Sequence, residues 1–148
     1  MNARPAFSRE AAQACLSACY EYLLITLPVA LYVVLEAIHK ADATFCLWSP
    51  EWAIATIFLA FQGHALYRRH LARTGRKLSD PMLGLFGMAT LVVTVLAAIN
   101  AYASLHENTI PAAAFRLLLF GLASATFVSM VSGAKLAHLN AERQRHAA

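Results

Sequence analysis

Charge is scarce in this chain: 14% of its 148 residues are Asp, Glu, Lys or Arg, while 59% are hydrophobic. A soluble domain carries roughly 25% charged residues. The shortage, with a mean hydropathy of +0.55, argues against a water-bathed globule and for a membrane protein. Cysteine is sparse as well, and the 3 present form no C-x-x-C. Cys15 and Cys19 share a helix face near the cytoplasm, a reducing place, and Cys46 stands alone on the other side. A quinone-linked thiol oxidase is therefore not expected, and Cys15 with Cys19 lacks the further ligands of a metal site. Also missing are a phosphate-cradling Gly-rich loop, H-E-x-x-H, G-x-S-x-G and the acidic pair of intramembrane proteolysis. No enzymatic activity, catalytic residue, metal or cofactor is expected.

What is present is a sizeable charged block between long apolar runs, Tyr67–Asp80, which holds Arg68, Arg69, Arg73, Arg76 and Lys77 against Asp80. Cytoplasmic loops of membrane proteins carry such an excess of Lys and Arg. The apolar runs on either side have about the 20 residues that a helix needs to cross a bilayer, and they predict spans at 20–38, 51–66, 82–105 and 112–134. Ten of the 12 basic residues then lie inside: Arg4, Arg9, the five of the central loop, Lys135, Arg143 and Arg145. Only Lys40 and Arg116 lie at the outer side. The expected fold is all-α, an integral four-helix bundle of the cytoplasmic (inner) membrane with both termini and the 67–80 loop inside.

Local signals mark the ends of these helices. Ser8 is placed to cap the first one, ahead of an interfacial stretch that leads into the span. Ser49-Pro50-Glu51 reads as cap, first helical residue and acid at the positive dipole end. Trp48 and Trp52 mark the outer interface. Asp80-Pro81 repeats the cap-then-proline signal, and Asn108 or Thr109 can cap the last helix. Ala41-Asp42-Ala43 has the form of a signal-peptidase site, but Glu36 and His39 interrupt the approach to it, so the first span is expected to stay in the protein. Pro28 falls mid-span and should kink the helix.

Polar residues inside the spans carry the functional expectations, because an ionisable group at mid-bilayer is expensive. At about 1.5 Å rise per residue, Glu21 lies about 12 Å inside its span centre, Glu36 about 10 Å outside, and His64 roughly 7 Å inside. Glu21, Gln62, His64 and Lys135 are expected to form an inner cluster. Glu36, Glu51, Asn100, Glu107 and Arg116 are expected to form an outer one. The two clusters are either interfacial groups satisfying one another or the ends of a cation or proton path, with His64 between them. Haem between histidines is not expected, since His39 and His106 sit at helix ends and His64 and His138 differ in depth. In the last span Gly121, Ala125, Ser129 and Gly133 recur every four residues, a ridge of small side chains that suits close helix packing. That ridge belongs either inside the bundle or at a subunit interface.

The basic loop is explained by topology and anionic headgroups rather than by nucleic acid. Two functions are expected from these features. One is a homo-oligomeric, channel-like assembly for small cations or protons. The other is a non-conducting anchor or sensor subunit whose basic inner face recruits a cytoplasmic protein partner.

Overall fold

The computed structural model describes residues 4–74, 81–106 and 109–147. Among them lie four long helices, α1 (Arg4–His39), α3 (Glu51–Arg73), α4 (Pro81–His106) and α5 (Ile110–Ala147), and one short helix, α2 (Phe45–Trp48), with no strand. α1 starts at Arg4, so Ser8 is inside the helix and does not cap it. Ser49 is not the cap of α3 either. Pro50 holds that position, Ala53 N–H donates to its carbonyl at 3.0 Å, and the Ser49 hydroxyl donates instead to the Glu51 carboxylate. Thr109 does meet the start of α5, its Oγ1 accepting from Ala112 N–H at 3.4 Å. Asp80 and Asn108 lie outside the described residues.

The turn after α1 shows how the sequence ends a long helix without glycine. Ala41 N–H donates to Ile38 O at 3.1 Å and Asp42 N–H to Ala37 O at 3.0 Å, the paired closure of a Schellman motif. This closure needs a left-handed residue, and Ala41 takes it at φ 51°. Asp42 then accepts from both the backbone N–H and the hydroxyl of Thr44, at 2.9 and 2.6 Å. These two bonds, the hydroxyl's first, hold the Asp42 carboxyl below the usual carboxylate range. The short helix α2 follows directly.

α3 packs against α1, α4 and α5, and α5 packs against α1 and α4, whereas α1 and α4 do not meet among the described residues. The core lies where α1, α3 and α5 converge: Ala18, Leu59, Ala123, Phe127 and Val131, flanked by Tyr22, Ile25, Leu66, Phe120 and Val128. Alanines bring the backbones close, and Gly63 does more. A Cβ there would stand 3.0 Å from the Phe127 ring, so a larger residue at this crossing of α3 and α5 would press on that ring. Outside this core the surface is apolar, with Leu23, Leu27 and Leu31 of α1, Leu91 and Val95 of α4, and Leu118 of α5 all exposed.

Three helices among the described residues are long and apolar enough to cross a membrane: Arg9–His39, Leu83–His106 and Ile110–Gln144. This fits a membrane protein. α3 is not among them, although 51–66 reads as a span in the sequence. It carries Thr56, Gln62, Gly63 and His64, and its buried face rests on three neighbouring helices. A helix whose inward face meets protein needs less hydrophobicity of its own than one ringed by lipid.

Candidate functional site

The largest fully buried side chain among the described residues is charged. Arg116, on the first turns of α5, is 1% exposed, and burying a guanidinium is tolerable only when its donors are met. Its Nε donates to Asn100 Oδ1 at 2.8 Å, its Nη1 to the Trp48 carbonyl at 2.7 Å and its Nη2 to the Ser104 hydroxyl. Asn100 and Ser104 are one helical turn apart on α4 and so share a face. Asn100 also donates to Ala112 O at 3.0 Å, and Ser104 to Asn100 O at 2.7 Å. The guanidinium fork thus ties the end of α2, α4 and α5 together at one end of the molecule. Glu51 supplies the nearby negative charge.

Of the expected outer group, then, Arg116, Asn100 and Glu51 come together. Glu36 does not join them: it pairs with Lys40 at 3.2 Å, one turn further along. Glu107 lies outside the described residues. Trp52, expected at the lipid interface, donates its indole N–H to Cys46 O at 2.6 Å and stacks on Phe120 with centroids 4.9 Å apart. Ser104 and the Trp48 carbonyl were not anticipated. The four-residue spacing from Asn100 was the signal for Ser104, whereas a backbone carbonyl leaves no trace in sequence.

At the opposite end Lys135 of α5 reaches α1, with Nζ 2.9 Å from Glu21 Oε1 and 2.7 Å from Ser17 Oγ. Glu10 pairs with Arg143, again joining α1 to α5. His138 stands 3.4 Å from Glu142, and His70 is buried within the electrostatic reach of Lys135, Glu21, Arg73 and His138. Burial first, then the positive Lys135, depresses the His70 pKa, with Glu21 opposing. The inner cluster therefore consists of Glu21, Lys135, Ser17 and His70. Gln62 is absent from it and exposed. His64 is half-buried and faces α4, where a Cβ on Gly87 would approach its ring to 3.5 Å.

Between the two ends the core shared by α1, α3 and α5 is largely apolar. Leu59 and Val131 are 0% exposed and Phe127 2%, and the polar contact across this level is Tyr22 to Ser124, at 3.2 Å. Gly121, Ala125, Ser129 and Gly133 are all exposed, and a Cβ on Gly121 or Gly133 would meet nothing within 4 Å. The ridge thus faces away from the chain's own core. Arg68, Arg69 and Arg73 are exposed at the end of α3, and Arg76 and Lys77 lie outside the described residues. His106 packs its ring tilted against Tyr102, with centroids 4.7 Å apart. Among the described residues no three His, Cys, Asp or Glu side chains converge as metal ligands. No family model, curated protein or solved structure matches this chain.

Proposed function

We propose that the chain is a four-helix, multi-pass protein of the cytoplasmic membrane, with both termini and the basic 67–80 segment, whose first residues continue α3, inside, that serves as a non-conducting, non-enzymatic anchor or sensor subunit. Its basic inner face, Arg68, Arg69 and Arg73 with Arg76 and Lys77, meets anionic headgroups and a cytoplasmic protein partner. The observation that carries the reading is the packed layer of Leu59, Phe127 and Val131 between the polar ends. An ion crossing one chain would lose its hydration there and meet only a few neutral hydroxyls such as those of Tyr22 and Ser124. The carboxylates support the same reading. Glu21 is engaged by Lys135 across α1 and α5, while Glu36 and Glu51 have local partners in Lys40 and Ser49, so none of the three stands free to gather cations.

A second reading has its own support. The exposed ridge Gly121, Ala125, Ser129 and Gly133 suits contact between copies, and an assembly of several chains could pass small cations or protons between subunits. Flux through purified protein in liposomes, under a pH gradient and under applied voltage, separates the two. No flux above protein-free liposomes is expected between about pH 5 and 8. Flux that falls on Glu36→Gln, Glu51→Gln or His64→Ala, with folding preserved, would establish the second reading instead.

A further inference from the structure

α3, α4 and α5 do not close completely on one another. They leave a cavity of about 170 Å³ that opens at the surface, with Phe86, Val93 and Phe127 among its walls. A dry apolar cavity of about 150 Å³ holds one benzene ring, so this one has room for a single six-membered ring while the remainder of the ligand stays in lipid.

Three polar side chains interrupt the apolar lining: His64 on α3, Thr90 on α4 and Thr126 on α5. His64 Nδ1 is buried without a hydrogen-bond partner, and no protein group bonds either ring nitrogen among the described residues. Gly87 presents only backbone beside the imidazole edge. An unpartnered imidazole at membrane depth costs free energy unless something binds it. The imidazole projects from α3 and the hydroxyls from α4 and α5, so a ring that carries two oxygens can meet both kinds of group, whereas a phenol or a fatty acid offers a single polar group.

We propose that this cavity binds a lipid-soluble single-ring quinone. The ring lies among Phe86, Val93 and Phe127, one carbonyl accepts from the His64 N–H, and the other faces the hydroxyls of Thr90 and Thr126. This site goes beyond the membrane-subunit reading and does not depend on whether the chain conducts.

The test is equilibrium binding of a decyl-substituted benzoquinone to the full chain in lipid nanodiscs, with protein-free nanodiscs subtracted. Saturable binding of about one quinone per chain is expected, with decylbenzene, which lacks the oxygens, competing poorly. Losing one hydrogen bond in an apolar site corresponds to about tenfold in affinity, so His64→Ala should weaken binding about tenfold and His64→Gln should restore most of it. Ala89→Phe, which fills the cavity from α4, should abolish binding and decides the matter if His64→Ala does not fold. Absence of saturable binding, equal competition by decylbenzene, or wild-type affinity in a folded His64→Ala or Ala89→Phe protein would overturn the proposal.

Discussion

Arg116 shows what a single residue does in this fold, because its three bonds to Asn100, Ser104 and the Trp48 carbonyl join three segments. Arg116→Met takes away the donors that meet the buried Asn100 oxygen, the Trp48 carbonyl and the Ser104 hydroxyl. Leaving a buried acceptor unsatisfied costs about 1–3 kcal/mol, so the variant should melt below wild type in detergent. Arg116→Lys should also lose most of the stability, since a compact ammonium cannot match a three-way fork. Melting within about 1 kcal/mol of wild type would show that the arrangement contributes little. Ala41 offers the opposite change. A left-handed alanine costs about 1–2 kcal/mol relative to glycine, so Ala41→Gly should stabilise the turn by about 1 kcal/mol, net of the greater freedom of glycine in the unfolded chain.

At the scale of elements, α5 separates what its sequence revealed from what it did not. The four-residue spacing of Gly121, Ala125, Ser129 and Gly133 was legible, since it is a property of one helix. Which way the ridge faces depends on where α1 and α3 pack, and only the fold supplies that. Because it faces outward, Ala125→Leu should change monomer stability by no more than about 0.5 kcal/mol, and Gly133→Leu should not lower it, since glycine is the poorer helix former. Should α5 join copies, both should dissociate the oligomer, as read by light scattering. Loss of the monomer fold would contradict the outward placement. His70, near the inner end of α3, was missed because one histidine in a basic stretch carries no periodic signal. Its depressed pKa means that the unfolded state binds the proton more readily. Its contribution is therefore full above the unfolded value of about 6.5 and declines as pH falls below it. Thermal stability should drop between pH 7.5 and pH 5, and His70→Phe should remove part of the drop. A pH-independent melting temperature would contradict this.

On the scale of the molecule, helix content and positions were readable because hydropathy and Lys/Arg asymmetry are one-dimensional properties. The pairing of polar residues was half readable. Asn100 with Arg116 and Glu21 with Lys135 followed from depth along the bilayer normal, while Gln62 and His64 share a depth with the inner group but point elsewhere, because helix rotation is set by neighbours. In the proposed topology α3 crosses the bilayer with one face held by α1, α4 and α5, although its own sequence is not apolar enough to qualify as a span. Its other face exposes Ile54, Phe58, Phe61 and Gln62. The direct measurement is labelling of intact cells with a membrane-impermeant thiol reagent, with Cys15 and Cys19 replaced by Ser and single cysteines introduced along α3. The native Cys46 should react from outside, cysteine at Phe58 or Phe61 should stay unreactive until the bilayer is dissolved, and cysteine at Thr74 should react only after the inner face is opened. Rapid labelling at Phe58 and Phe61 in intact cells, or at Thr74 from outside, would contradict the account.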